Sequence, residues 1–516
     1  MTAFVNYGVL TLAVVAMAVA SLRWLRVAQR EHYLGGSVSR FAWRWWRLGV
    51  VNPVGLLVAV VAGVLAFRWP LAGVLTVVVV VLAPRGLSLR GRTSKLAWTR
   101  RLRTLAAVSG VVMVVWIMFG LVVGHVAALG VLGGLLVPAF VDLACWRTAP
   151  LEHRLGQYYV TEARDRLDRV APVVVAVTGS YGKTSTKGHV AQLVGGSRNV
   201  VVTPASFNNR AGLARAVNEH LADGTEVFVA EMGTYGPGEI ADLCSWCPPK
   251  ISVITAIGPV HLERFGTEDR IVEAKSEILK GAETIILNVD NPHLARLAGR
   301  LATEGKAPVA VSATDSGASV CVRADGDAHV VLVDGVEVAR DVHLPSGVQP
   351  TNVACALAVG RALGVDVAAL VGRLGDLGAA SHRLEASTSA TGATILDDTY
   401  NSNPAGAASG VSVLTASAPT GRRAVVSPGM VELGSRQFEE NRRWAADSAR
   451  VVSDFVVVGH TNRRALVSGL EEAGAAGSPV NVVKVDRREQ AVDWVRKNLG
   501  PGDAVLYEND LPDHYP

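Results

Sequence analysis

A glycine-rich segment that follows an apolar run is the part of this chain best suited to chemistry. Val173–Val177 leads into Thr-Gly-Ser-Tyr-Gly-Lys-Thr-Ser at positions 178–185. This pattern predicts a buried strand that delivers a loop to the start of a helix. Gly179 and Gly182 allow backbone N–H groups to turn toward an anion. Lys183 can then reach the outer phosphates of a nucleotide, and the Thr184 hydroxyl can bind Mg²⁺.

The segment therefore predicts an ATP site at the positive end of the following helix. The predicted ATP-binding residues in it are Gly179, Ser180, Tyr181, Gly182, Lys183, Thr184 and Ser185. The usual P-loop spacing requires a glycine at position 177, where this chain has Val177. The alternative is a glycine-rich loop with a chance Lys-Thr, which the agreement of strand, loop and helix signals disfavours.

Polar residues also follow other apolar runs. Glu231 ends the run Val227–Ala230 and could hold Mg²⁺, directly or through water. His261 follows Ile251–Ala256, and a lone histidine there is more often structural than a ligand. Lys275 lies on a predicted helix, where by itself it would be a surface lysine.

A further acidic and amide-rich group, which includes Asp398, Asn401 and Asn403, ends the run that begins at Thr394. So much polarity after an apolar strand suits a site at a sheet edge. The alternative is an Asx-rich turn.

The first 150 residues have the composition of membrane helices. Five nearly charge-free segments have about the length that a membrane helix needs: Ala3–Leu22, Leu48–Phe67, Trp69–Ala83, Thr104–Val123 and Val126–Val141. The third and fifth are short, so a hairpin partner or a re-entrant piece is an alternative for them. We expect about five transmembrane helices in residues 1–150.

Charge placement predicts an orientation. Arginines and lysines concentrate in the loops after the first and third segments, which places these loops in the cytoplasm, the N-terminus outside and the residues from 147 onward inside. Residues 1–150 hold 15 Lys/Arg and 2 Asp/Glu, a net charge of +13, so the remainder of a chain of net charge +5 carries −8. The basic balance thus reflects membrane loops and gives no signal for nucleic-acid binding. The five scattered cysteines do not suggest a disulfide framework, and Cys244-Ser-Trp-Cys247 lacks the second pair of ligands that a structural zinc site needs.

The rest of the chain alternates apolar strands with helical stretches, so we predict an α/β fold with mainly parallel sheets. The predicted strands are Val173–Val177, Val227–Ala230, Ile251–Ala256, Ile285–Asn288, Thr394–Asp397, Ala424–Ser427, Phe455–Val458 and Ala504–Tyr507. Further β-like stretches are predicted around Val320–Val338, followed by a helix near Asn352–Leu363. The predicted boundaries are a juxtamembrane connector at 151–170, a central ATP-binding domain at 171–379 and a C-terminal domain at 380–516.

The ordered set of motifs resembles the Mur ligases, most closely the type that adds D-alanyl-D-alanine to the muramoyl tripeptide. The matching pieces span about residues 171–510, and they include Thr178–Thr186, Ser206–Asn209, Glu231–Ile240, His261–Gly266, Ala274–Glu277, Arg383–Glu385, Asp397–Pro404 and Gly429–Gly434. The resemblance implies a P-loop-type central domain and a Rossmann-like C-terminal domain.

The resemblance also implies roles for individual residues. Lys183 would bind the transferring phosphate, Thr184 and Glu231 would hold a first Mg²⁺, and His261 would help hold a second. Lys275 falls where the family carries a carbamylated lysine. The residues expected to contact ATP from elsewhere in the chain are Asn352, Arg383 and Asp398. The expected catalytic residues are Lys183, His261, Lys275 and Asp398. Candidate substrate residues are Asn208, Asn209, Asn401 and Asn403.

The implied reaction is phosphorylation of a carboxylate by ATP, followed by attack of an amine on the acyl phosphate. The family's usual N-terminal domain, which binds the UDP part of the substrate, is replaced here by the predicted membrane helices. We therefore expect a membrane-anchored peptide ligase with cytoplasmic catalytic domains and a small-molecule or lipid-linked peptide substrate.

Alternatives are a polyglutamate-type or secondary-metabolite ligase, an ATP-driven transporter, or a non-catalytic nucleotide sensor. Two departures from the family concern the site: Val348 stands where relatives often have histidine, and the end of the chain is acidic at Glu508 and Asp510. These departures suggest that the acceptor side prefers a cationic or differently shaped amine.

Overall fold

The computed structural model describes residues 2–89, 96–345, 347–378, 384–399, 402–511 and 514–515. The chain divides into two compact units. Unit 1 contains Met1–Gly156 together with Leu511–Pro516, and unit 2 contains Gln157–Asp510. The boundary at residue 156 falls inside the predicted connector.

Unit 1 is built from helices. They are α1 (Thr2–Arg30), α2 (Ser37–Trp46), α3 (Val51–Leu65), α4 (Gly73–Leu82), α5 (Arg100–Val122) and α6 (Val126–Val170), the last of which continues into unit 2. Helices α1, α5 and α6 are long and apolar enough to cross a membrane, and α2 with α3, bent by 107°, could form a fourth span.

The five predicted membrane segments all lie on helices, but two of these helices are short. Helix α3 has 15 residues and α4 has 10, against the roughly 20 that a bilayer requires. They pack against each other, and the Thr76 hydroxyl of α4 donates a hydrogen bond to the Ala59 carbonyl of α3 at 2.7 Å. By length, the described residues therefore offer three or four spans. The expected count of five stays a prediction, as does the alternative of a hairpin partner for the third segment.

Residues near the end of the chain complete unit 1. The Trp45 indole donates a hydrogen bond to the His514 carbonyl at 2.7 Å, and His514 Nε2 lies 3.0 Å from Glu31 Oε1. The ring of Phe41 contacts the rings of His514 and Tyr515, with centroid distances of 5.0 and 4.9 Å. His514 and Glu31 are both buried, so this segment is an integral part of the unit.

The first half of unit 2, here called the middle domain, surrounds a nine-stranded sheet. Its strands are β1 (Val173–Thr178), β2 (Val200–Val202), β3 (Val227–Glu231), β4 (Ile251–Ile254), β5 (Thr284–Asn288), β6 (Val309–Ser312), β7 (Val320–Asp325), β8 (Ala328–Val333) and β9 (Val336–Val342). Its helices are α7 (Lys183–Val194), α8 (Arg210–His220), α9 (Glu239–Trp246), α10 (Leu262–Phe265), α11 (Glu268–Ser276), α12 (Pro292–Thr303), α13 (Pro350–Ala362) and α14 (Val367–Val371). The strand order is β2-β3-β1-β4-β5-β6-β7-β8-β9, parallel from β2 to β7 and antiparallel beyond.

The second half, the C-terminal domain, has a six-stranded sheet. Its strands are β10 (Glu385–Thr388), β11 (Thr394–Asp398), β12 (Arg423–Ser427), β13 (Asp454–Val458), β14 (Asn481–Val485) and β15 (Ala504–Glu508), and its helices are α15 (Pro404–Ser417), α16 (Gln437–Ala449), α17 (Arg463–Ala475) and α18 (Arg488–Asn498). The order is β10-β11-β15-β12-β13-β14, with only β10 antiparallel among the described strands.

The eight predicted strands are confirmed, and so is the α/β class of unit 2. In both sheets the central parallel strands are buried on two faces, as their continuous apolar runs indicate. Loops at the carboxyl ends of β1 and β3 lie side by side because these strands are neighbours.

Candidate active site

The predicted phosphate-binding loop joins β1 to α7. Gly182 precedes the helix with φ at 78°, a left-handed conformation that favours glycine. A Cβ atom there would lie 2.3 Å from Asn352 Oδ1, so the loop passes close against α13. The Thr186 hydroxyl also donates to Asn352 Oδ1, at 3.3 Å. Lys183 folds back over the loop, and its Nζ donates to the Gly179 carbonyl at 2.6 Å.

Glu231, at the end of β3, is the centre of a buried polar cluster beside this loop. Its Oε2 accepts from the Thr184 hydroxyl at 3.0 Å and lies 3.0 Å from Lys187 Nζ, while its Oε1 accepts from Asn208 Nδ2 at 3.1 Å. Burial by itself would raise the pKa of the Glu231 carboxyl. The positive charges of Lys187 and Lys183 and the hydrogen bond from Asn208 outweigh burial and lower that pKa.

Two of these oxygen atoms have the spacing of metal ligands. Neighbouring ligands of an octahedral Mg²⁺, each about 2.1 Å from the ion, lie roughly 3.0 Å apart. Thr184 Oγ1 and Glu231 Oε2 are 3.0 Å apart. Within the described ranges, no three His, Cys, Asp or Glu side chains are grouped as an all-protein metal site would need. The Thr184–Glu231 pair therefore fits an ion whose other ligands are water and phosphate.

Lys275 reaches the same loop from α11. Its Nζ donates to the Gly179 carbonyl at 3.0 Å, and its side chain is buried. Desolvation, reinforced by the nearby charge of Lys183, lowers the pKa of the Lys275 amine well below its usual value. A lysine with a depressed pKa keeps a larger fraction of neutral, nucleophilic amine at neutral pH.

A cavity of about 330 Å³ adjoins the loop. The middle domain contributes Tyr181, Gly182, Ser185 and Asn352 to its wall, and the C-terminal domain contributes Asp398 and Asn403, all of them predicted site residues. A wall shared by two domains, next to a phosphate-binding loop, suits a nucleoside.

Comparison with known proteins agrees with this arrangement. The Mur ligase middle domain matches residues 177–360, and the Mur ligase glutamate ligase domain matches residues 382–507. A UDP-N-acetylmuramoyl-tripeptide--D-alanyl-D-alanine ligase from Mycobacterium leprae is 32% identical over 368 residues, which cover 64% of this chain and 70% of that protein. The chain belongs to the Mur ligase family. It is therefore an ATP-dependent, ADP-forming ligase by class.

Two solved Mur ligases show the same fold. MurF from Thermotoga maritima, in complex with ADP, is 26% identical, with a TM-score of 0.56 over 69% of this chain and 80% of its own. MurF from Acinetobacter baumannii is 23% identical, with a TM-score of 0.60 over 69% of this chain and 77% of its own.

In this Mur ligase, the contacts of His261 with other described residues lie outside the polar cluster around Glu231. It precedes the short helix α10 with φ at 58°, and its Nδ1 is hydrogen-bonded to the Glu432 carboxylate of the C-terminal domain. The ring of Tyr235 packs edge-on against it at 5.0 Å. In this arrangement the Nδ1 side of His261 is occupied by a carboxylate.

Several predicted residues have structural partners. Asn209 caps α8 by accepting from the Gly212 amide at 3.0 Å, and Asn403, besides lining the cavity, caps α15 through the Gly406 amide at 2.9 Å. The Ser180 hydroxyl donates to the Gly258 carbonyl at 3.2 Å. Arg383 and Asn401 lie outside the described residues.

The acids near the end of β15 are engaged inside the protein. Glu508 is fully buried and accepts a hydrogen bond from the Ser402 hydroxyl, and Asp510 is ion-paired with Arg488. The suggestion that these acids favour a cationic or differently shaped amine stays a prediction, with Glu508 buried and Asp510 paired in this structure.

Two residues of the site, Lys187 and His189, were not predicted from the sequence. Lys187 lies one helical turn after Lys183, so the i, i+4 spacing could have revealed it. His189 follows Ser185 by the same spacing and lines the cavity. Burial lowers the pKa of the His189 imidazole to about 4, so the ring is neutral at physiological pH.

Proposed function

We propose that this chain is a membrane-anchored Mur-type ligase that forms an amide bond through an acyl phosphate. The observation that best supports this function is the arrangement around Gly179. The amines of Lys183 and Lys275 both donate to the Gly179 carbonyl, and the Thr184–Glu231 pair and a nucleoside-sized cavity lie beside the same loop. The family relationship supports a peptidoglycan-type peptide as the carboxylate substrate, because the relatives of similar sequence are named for a muramoyl peptide.

The chemistry requires charge neutralisation in two successive steps. A substrate carboxylate oxygen bonds to the γ-phosphorus of ATP as the bond to ADP breaks. The amine nitrogen then bonds to the acyl carbon, phosphate leaves, and the nitrogen loses a proton. Lys183 would stabilise the negative charge that the phosphoryl group carries during transfer. Bound Mg²⁺ would neutralise further phosphate charge, held by Thr184 and Glu231 as their spacing allows.

Lys275 and His261 would support a second ion on the substrate side. The depressed pKa and buried position of Lys275 suit carbamylation, since a neutral amine is the form that reacts with CO₂. Carbamylation would add CO₂ to the neutral amine and release a proton, which leaves a carbamate anion beside Lys183. The positive charge of Lys183 would stabilise that anion.

Unit 1 would anchor the ligase. Helices α1, α5 and α6 meet the length and hydropathy of membrane spans. If α3 and α4 enter and leave on the same side, and α2 with α3 therefore forms no separate span, three crossings replace five. Both counts are odd, so both put the N-terminus outside, the arginine-rich loops inside and the ligase in the cytoplasm, where ATP is available.

The anchor favours a lipid-linked carboxylate, because confinement to the bilayer raises the effective concentration of enzyme and substrate for each other. A UDP-linked peptide is the second candidate. A polyglutamate-type substrate and an ATP-driven transport function are the remaining alternatives.

Product analysis tests these candidates. The full-length protein, in detergent with Mg²⁺ and bicarbonate, would receive D-alanyl-D-alanine or other amines together with a UDP-muramoyl peptide, a lipid-linked muropeptide or a free peptide. Mass spectrometry would detect the amide, with Lys183→Ala as control. We expect an amide from the lipid-linked donor. An amide from the UDP-linked donor alone would indicate a conventional substrate with an added anchor, and ATP hydrolysis without any amide would contradict the ligase proposal.

A further inference from the structure

Two strained residues face each other between the middle and C-terminal domains. His261 has φ at 58° and Glu432 has φ at 64°, both in the left-handed region that residues other than glycine rarely adopt. Such conformations cost free energy and persist where surrounding contacts hold them, often at functional sites. Here the two side chains are hydrogen-bonded to each other, His261 Nδ1 to Glu432 Oε2.

Glu432 contacts more than His261. Its Oε1 lies 3.8 Å from a terminal nitrogen of Arg264, whose guanidinium stacks over the Tyr235 ring at 4.4 Å. Tyr235 in turn packs edge-on against His261. The three middle-domain side chains therefore form one receiving surface for a single carboxylate.

The backbone approaches closely at the same place. Glu432 belongs to the segment Gly429–Gly434, and a Cβ added at Gly434 would lie 3.0 Å from Leu262 Cβ and 3.3 Å from the Glu263 amide nitrogen. Just beyond, Arg436 forms a second ion pair with Glu268 at 2.8 Å. The segment thus docks on the turn that begins at His261.

We propose that Glu432 is a positioning residue that latches the C-terminal domain onto the middle domain and so slows release of the nucleotide. The cavity needs both domains for its wall, and Glu432 supplies a charged contact between these domains without lining that cavity. The proposal rests on the proposed function only in that the cavity binds a nucleotide. It requires no particular peptide substrate.

A double-mutant cycle on nucleotide release tests the latch. The variants are Glu432→Ala, Arg264→Ala and the double variant in the full-length protein, and the probe is a fluorescent ADP analogue displaced by excess ADP in stopped flow. Contacting residues show coupling, so we expect each single change to speed release about 5- to 10-fold and the double variant to be no faster than the faster single. Glu439→Ala is the matched control, since exposed Glu439 pairs with Arg442 on its own helix, and its release rate should change less than about 2-fold.

Two results would overturn the latch: unchanged release in Glu432→Ala, or single effects that multiply in the double variant. If Glu432→Ala does not fold, Glu432→Gln keeps the shape of the side chain and should still speed release by losing the charge. Release is measured without any amide product. A latch effect in a protein that makes no amide would therefore keep this proposal while contradicting the ligase proposal, and a parent protein that binds no nucleotide would contradict both.

Discussion

Lys187→Met should destabilise the middle domain more than any surface lysine change, because Lys187 is half of a buried ion pair. Its Nζ lies 3.0 Å from Glu231 Oε2, and the exposed fractions of the two side chains are 6% and 1%. Removing one partner of a buried pair costs about 3–5 kcal/mol, chiefly because the other charge stays buried without compensation. Glu231 would keep the hydrogen bonds from Thr184 and Asn208, so we expect the lower end, about 3 kcal/mol.

The expected loss of unfolding free energy should appear as a lower melting temperature. For a domain of about 200 residues, 1 kcal/mol shifts the melting temperature by roughly 2–4 °C, so the expected shift is about 6–12 °C. Intrinsic fluorescence of the full-length protein in detergent would follow unfolding. Lys250→Met is the matched control: Lys250 pairs with Glu283 at 3.4 Å on the surface, and exposed pairs contribute about 0–1 kcal/mol.

The double variant Lys187→Met/Glu231→Gln tests whether the unpaired charge of Glu231 causes the loss of stability. If Lys187→Met acts by leaving a charge unpaired, neutralising Glu231 as well should recover a substantial part of the loss. Melting shifts that simply add would refute this explanation. They would indicate that Lys187 acts through its other contact, the hydrogen bond to the Ala205 carbonyl at 2.6 Å.

Three further predictions concern the nucleotide site. Gly182→Ala should weaken nucleotide binding more than about 10-fold, as measured by fluorescence titration. The new methyl group would collide with Asn352, and the φ of 78° disfavours alanine; unchanged affinity would contradict the close contact between the loop and Asn352. Lys275→Met should abolish amide formation, and the parent activity should rise with added bicarbonate if Lys275 is carbamylated; activity that ignores bicarbonate would count against carbamylation. The pKa of His189, about 4 in the folded protein against an ordinary 6.5, means that its contribution to stability is complete above pH 6.5 and is lost as pH falls toward 4. Melting curves of His189→Leu should therefore lack part of the parent's acid destabilisation over that range, and identical pH profiles would contradict the assignment.

Much of unit 2 could be predicted because its signals are local. The parallel strands are continuous apolar runs, and the loop at 178–185 combines a strand end, two glycines and a helix start in consecutive residues. Strands β2, β6, β10 and β14 were not predicted. All four have five or fewer residues, and β2, β10 and β14 are edge strands, so each gives only a short apolar signal.

The site itself depends on contacts that are distant in sequence. Lys275 and Gly179 are 96 residues apart, and His261 and Glu432 are 171 apart. No local pattern predicts such pairs. Nor does the sequence show that Glu508 is buried by the sheet or that Asp510 pairs with Arg488.

The contacts of His514 and Tyr515 have a consequence for biosynthesis. Both residues belong to unit 1, yet they are translated after the whole of unit 2, so the ligase domains interrupt unit 1 in the order of synthesis. Helices α1 to α5 are synthesised before the ligase domains, whereas His514 and Tyr515, which contact Phe41 and Trp45, are synthesised after them. Unit 1 can therefore be completed only on chains whose ligase domains have already been made, and a polypeptide truncated within the catalytic part would lack the contacts of His514 and Tyr515 with Phe41.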